Sequence, residues 1–357
     1  MPTTETKTVK SAGGDYSSLT AYEAAEQVNL VTADKIKQAE CYAFRDVPVG
    51  DGVLWDGWTT DATRYIRAYV AVGQQHTATR GTGYQLVISG FGHGGDIRED
   101  NVRMEGIALV SEAGPFYGDR GFHIDCGGSS DIRLSKIYLS TFTNDRAFCR
   151  TFNSTSGVKI WNCMSGSDGT LTDDWNTMFA GSSGTHYLYN NTVVGRIFGP
   201  FAACYTVELS ATPTMVFKNN IGDRGANPDV NSAAYLLPGA TTTGSSNNLS
   251  DDASAPGSNV FVNRHPLYVD ETNGDLHIHS TDDSGVRNNG VDLSADANIA
   301  FSDDIDGTTR PVDNSWDLGA DESAAPALPV GGSGSSIFAF DRFKTGELSS
   351  SDERKWF

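Results

Sequence analysis

The chain has 357 residues, 38% of them hydrophobic, and a formal charge of −19 at pH 7. That charge argues against a nucleic-acid partner, because binding phosphates needs a basic surface. No apolar run approaches the roughly 18 residues of a membrane span, and no secretory h-region follows the polar stretch from Pro2 to Lys10. Cys41, Cys126, Cys149, Cys163 and Cys204 are odd in number and form no CxxC pair, which argues against a disulfide framework and against zinc.

In chain order, residues 1–35 read as an N-terminal cap. Thr8 to Tyr16 gives a short strand and a Gly-Gly-Asp-Tyr turn, and Ser17 to Glu26 a short helix with Leu19, Tyr22 and Ala25 on one face. A serine near its start can cap it. Such a helix covers the open end of a stacked core. This segment resembles the opening of pectin-active β-helix enzymes, a likeness of structure that carries no chemistry.

Residues 36–250 read as coils of an all-β solenoid, a right-handed parallel β-helix. Ile36–Phe44, Tyr65–Val70 and Tyr84–Ile88 alternate as strands do. Trp55 and Trp58 lie between them in a Gly/Asp-rich loop, where they either stack on sugar rings or pack over the first coils. A short apolar strand followed by Asn then recurs around Asn162, Asn190, Asn219 and Asn247, at steps of 28, 29 and 28 residues. That interval is the mark of stacked coils. Val102–Ile107 and Ile132–Ile137 fit the same register without the Asn. The four amides are expected to bond to one another and to turn backbone as a structural ladder. Cys163 falls in the neighbouring column of Asn191 and Asn220 and is expected to stack inside the coil. Loops at 111–120, 143–157 and 165–184 are the places for binding.

Residues 251–322 change pattern. Asn263-Arg264-His265-Pro266-Leu267-Tyr268, Gly274-Asp275-Leu276, Asp304-Ile305-Asp306-Gly307-Thr308-Thr309-Arg310-Pro311 and Asp317-Leu318-Gly319-Ala320-Asp321-Glu322 follow in order. This series resembles the C-terminal end of secreted and surface right-handed β-helix proteins, among them relatives of the alginate and chondroitin lyases. The resemblance implies that the segment closes the last coils, and it implies fold more than activity. Residues 323–336 read as a linker. Residues 337–357 form an aromatic tail, with Phe338, Phe340, Phe343, Trp356 and Phe357 placed to dock on a partner or back on the body.

For catalysis on a polysaccharide, Asp173 and Asp174 are the nearest paired carboxylates. Together with Gly92-His93-Gly94 they share ingredients with polygalacturonases, but in reversed order and without that family's other partners. A lyase would need Lys136 or Arg133 beside an acidic sugar, often with calcium. Arg103, Arg133 and Lys159 each fall one residue after the first apolar position of their coils and form a basic stripe, whose plain reading is a solvated face. Ser302–Gly307 resembles part of a calcium loop but lacks its closing Glu, so an Asp-Gly turn is expected. His277 and His279 share a strand face and could hold a metal, though a third ligand is missing. No cofactor is expected.

These features together lead to a non-catalytic structural protein of a virus particle: a bacteriophage capsid decoration, head spike or fibre. The whole chain resembles β-helix proteins encoded by phages and their hosts. Its partners would be other virion proteins, reached through the tail, and a host glycan held by Trp55, Trp58, Trp175 and Tyr187. The location would be the virion surface, or else extracellular. A polysaccharide lyase or hydrolase and a bacterial adhesin are the alternatives. An oligomer stays open, since no coiled-coil heptads appear.

Overall fold

In strand Ile66–Val70, Ile66, Ala68 and Val70 are buried while Arg67 and Tyr69 reach outward. The same alternation recurs coil after coil and gives each short strand one core-facing side. The computed structural model describes residues 1–48, 52–88, 93–111, 120–126, 131–140, 147–151, 157–166, 179–181, 184–195, 203–207, 212–225 and 232–323. Their strands stack into three parallel sheets of eight, eight and seven strands, so the protein is an all-β parallel β-solenoid. The first sheet runs from Thr3–Val9 to Thr214–Lys218, the second from Arg45–Asp46 to Leu249–Ser250, the third from Val53–Trp55 to Ala233–Leu236. Register is strict: Arg67, Arg103, Arg133, Lys159 and Tyr187 lie on successive rungs of the first sheet.

The turn from first to second sheet takes a residue in the left-handed region in each of six successive coils from Gly106 onward. Gly106, Lys136, Asn162, Asn190, Asn219 and Asn247 have φ of 76°, 52°, 52°, 48°, 57° and 55°. Gly and Asn tolerate this conformation best, which explains the recurring Asn. The expected ladder, however, is mostly not in this column. Only Asn219 reaches a neighbour, donating from Nδ2 to Asn190 Oδ1 at 3.0 Å. The other amides bond to C-terminal backbone: Asn162 to Asp303 O (2.7 Å), Asn190 to Gly319 O (3.0 Å) and Asn247 to Asn289 O (2.8 Å). The coil-to-coil ladder stands one residue further on, fully buried. There Asn191 Oδ1 accepts from Cys163 N, Asn220 Oδ1 from Asn191 N and Asn248 Oδ1 from Asn220 N, each within 3.1 Å.

The N-terminal 35 residues are continuous with the coils. Thr3–Val9 pairs with Lys35–Cys41 along all seven residues. Helix Leu19–Glu26 begins where Ser18 Oγ accepts from Ala21 N at 3.0 Å, and its Leu19 and Tyr22 join the main core.

Of residues 251–322, expected to close the last coils, those up to Phe261 form a last partial coil and the rest follow another course. That coil ends where Leu249 bridges to Phe261. The chain then runs back along the outside of the solenoid as a strap. The receiving surface is the outer column of the second sheet: Ala108, Tyr138, Met164, Ile221 and Leu249, an apolar stripe that would otherwise face water. Tyr268, Leu276, Ile278, Val286, Ile305 and Leu318 cover it. Polar bonds lock the strap. Arg310 and Glu322, both fully buried, pair at 2.8 Å, and Glu322 also accepts from Asp317 N and Val312 N. Asp304 accepts from Thr308 N at 2.7 Å and Asp306 N at 3.0 Å, forming the Asp-Gly turn. The conspicuous Asp, Arg and Glu of this segment therefore fold it onto the coils.

Candidate functional site

The outer face of the first sheet and the strap enclose a cleft of about 450 Å³. Strict register places Arg67, Arg103 and Arg133 in its floor on consecutive rungs, roughly 4.8 Å apart. Lys136 and Trp161 rise beside them, and the strap contributes Phe301 and Asp303. Trp161 and Phe301 have ring centroids 6.4 Å apart.

Most of these charges already have partners. Arg67 is paired with Glu105, Arg133 Nη2 lies 2.7 Å and Lys159 Nζ 2.9 Å from Asp131, and Lys136 Nζ lies 2.6 Å from Asp303. Burial works against the Asp131 carboxylate, but Arg133 and Lys159 outweigh it and hold its pKa low. Arg103 differs. Its guanidinium stacks on the Tyr65 ring at 3.3 Å, yet it has no hydrogen bond or ion pair among the described residues, and its Nε is buried without a partner. Burial, then repulsion from Arg133, lowers its pKa below the ordinary guanidinium value.

Lys136 occupies the left-handed turn column where later coils place Asn. A lysine there is strained relative to Gly or Asn. Its carbonyl accepts from His76 Nε2 at 2.7 Å, and His76 Nδ1 accepts from Ala78 N, which fixes the neutral tautomer. Burial pushes the His76 pKa down to about 4.

Of the residues singled out from sequence, Arg133 and Lys136 meet in this cleft. Trp55 and Trp58 are buried in the core, 0% and 5% exposed, and Trp58 Nε1 donates to Glu23 at 3.1 Å, so they cannot stack on a sugar. Tyr187 is half-buried, edge-on to Tyr189 and against the cluster that holds Leu293 and Trp316. Asp173, Asp174, Trp175 and the aromatic tail lie outside the described residues. Sequence reasoning passed over Arg67, which obeys the same rule as Arg103, and Tyr65, Trp161 and Phe301, and placed Asp303 only in an Asp-Gly turn.

The strap also brings His277, Asp306 and Asp321 together. Both ring nitrogens of His277 are taken, Nδ1 by Asp275 and Nε2 by Asp306 at 2.7 Å, and His279 bonds to Thr281 instead. The two histidines thus do not share a ligand set. Burial opposes charge on His277, but the carboxylates of Asp306, Asp321 and Asp275 outweigh it and raise its pKa to about 10. The Asp223 carboxylate raises His265 to about 9. A raised histidine stabilises the fold fully below pH 6.5 and loses that contribution as pH climbs through its folded pKa. Burial raises Asp321 to about 6, a contribution lost earlier, between pH 4 and 6. Urea midpoints are therefore expected to fall between pH 7 and 10, with His277 contributing on the order of 2 kcal/mol. Burial also raises the five thiols Cys41, Cys126, Cys149, Cys163 and Cys204, which adds a second fall above about pH 8.5, where they ionise in the unfolded chain. A His277→Gln/His265→Gln double variant should therefore flatten the profile between about pH 7 and 8 only, and an unchanged slope there would disprove the assignment.

No protein-family model, curated protein or solved structure matches this chain. Fold and site therefore define the class by themselves: a parallel β-solenoid with a strap-walled, cation-floored cleft. No helix among the described residues is long and apolar enough to cross a membrane.

Proposed function

We propose that this is a non-catalytic surface protein whose β-helix, right-handed and covered at its N-terminal end by helix Leu19–Glu26, presents the cleft to a glycan. The observation that carries the reading is the pairing of an exposed-side aromatic, Trp161, with a file of arginines in one concave site. Aromatic faces hold sugar rings while guanidinium groups hold their polar substituents. Against the lyase alternative, Lys136 and Arg133 are each committed to a carboxylate at 2.6–2.7 Å, a poor arrangement for abstracting a proton.

The setting we propose is a virus particle, as a bacteriophage capsid decoration, head spike or fibre. The composition of 323–336, rich in Ala, Pro, Gly and Ser, and the aromatic residues of 337–357 support it, because a linker followed by apolar rings is a sequence suited to docking on another virion protein. Mass spectrometry of purified particles tests this setting; release of the chain by virus-free cells would refute it. Glycan binding is tested with Trp161→Leu, which keeps apolar contact with the cluster of Leu293 and Trp316 but removes the aromatic face, and is expected to weaken retention on a glycan array at least tenfold at a temperature where the chain stays folded. Unsaturated sugar ends from an acidic polysaccharide, abolished by Lys136→Ala, would restore the lyase reading.

A further inference from the structure

Resting on the glycan reading of the cleft, we infer that its ligand is a largely neutral saccharide carrying one isolated acidic substituent, a carboxylate or sulfate, seated on Arg103. Five cations stand in or beside the floor: Arg67, Arg103, Arg133, Lys136 and Lys159. Three carboxylates, Glu105, Asp131 and Asp303, already answer most of that charge. The surplus sits at Arg103, which has no ionic partner among the described residues, and at the neighbouring rung, where Arg133 shares Asp131 with Lys159. A single anion between these two rungs answers one of the two surplus charges and lies within reach of both Arg103 and Arg133. It gives the Arg103 guanidinium, which has no ion pair among the described residues and lines the cleft, a charge-assisted acceptor.

A polyanion fits worse. Successive acidic sugars laid along the file would bring further charges against Glu105 on one side and Asp303 on the other, both of which line the cleft. The net charge of −19 adds to this by working against the approach of a dense polyanion. The aromatic rings of Trp161 and Phe301, beyond the arginines, suit uncharged sugar faces.

The test presents the full chain to immobilised glycans of three compositions. These are neutral oligosaccharides, neutral oligosaccharides bearing a single uronate, sialate or sulfate, and polyuronate chains. Retention by the singly charged class is expected to exceed the other two at least tenfold, and Arg103→Met should erase that preference. Comparison of the uronate, sialate and sulfate members shows which acid the seat takes. Glu105→Gln serves as a gain-of-binding variant, immune to misfolding artefacts, and should raise polyuronate retention several-fold. Stronger retention of polyuronate by the unaltered chain, or equal retention of neutral glycans, overturns the inference and leaves the glycan cleft standing. Retention of no class overturns the cleft reading as well.

Discussion

Replacing Asn220 by leucine is expected to cost about 4 kcal/mol of stability, seen as a lower urea midpoint. The residue is fully buried in the inner column. Its Oδ1 accepts from Asn191 N at 3.1 Å and Asn191 Nδ2 at 3.0 Å, and its Nδ2 donates to Leu188 O at 2.6 Å. Leucine matches the volume closely, so little cavity forms. What it leaves are two donors and a carbonyl stranded away from water, each worth roughly 1–3 kcal/mol when unsatisfied. Asn162→Gly is the control. Glycine accepts the 52° φ without strain, and the change forfeits one bond to Asp303 O, a loss of about 1 kcal/mol. The two costs should differ several-fold. If Asn162→Gly proves the costlier, the coils are held by the outer column and the assignment of the ladder to Asn191, Asn220 and Asn248 is wrong.

The contrast between these columns shows where sequence reasoning succeeds and where it stops. The recurring Asn was readable because one backbone position in each coil from Gly106 onward is left-handed, and few residues tolerate that. Gly106 meets the same demand by having no Cβ, so the earlier coils keep the register without the Asn. Which amide of an Asn-Asn pair enters the coil is set by the turn itself, and composition is silent on it. The basic file followed from register arithmetic, since Arg103, Arg133 and Lys159 share one strand position. The cleft did not, because Asp303 reaches Lys136 across 167 residues of chain. The strap's apolar residues, such as Leu276, Val286 and Leu318, are spaced singly with no period, so nothing marks them as the cover of a stripe. Trp55 and Trp58 took the packing alternative. Gly and Asp around them suggest exposure, yet Trp55 ends a strand of the third sheet and both rings turn inward.

Arg310→Met is expected to destabilise the strap by roughly 3–5 kcal/mol, the usual range for breaking a buried ion pair by removing one partner. Arg310 is 4% exposed and donates to Glu322 at 2.8 Å, Gly319 O at 3.0 Å and Asp303 O at 3.1 Å. Methionine fills much of the space but leaves the Glu322 carboxylate buried without a cation, and burial already raises that carboxyl's pKa. The coils keep their own ladders, so the strap should loosen first. Limited proteolysis is expected to cut within 263–323 while the β signature in circular dichroism persists. An Arg310→Met/Glu322→Leu double variant should recover part of the loss, because most of the penalty comes from the orphaned charge. The cleft ties this change to binding. Phe301 and Asp303 lie on the strap, and Arg310 holds the Asp303 carbonyl, so a loosened strap removes one wall. Glycan retention should therefore fall with strap protection, in the same proportion and over the same urea range. Full retention by a chain whose strap has been clipped away would mean that the ligand sits elsewhere on the solenoid.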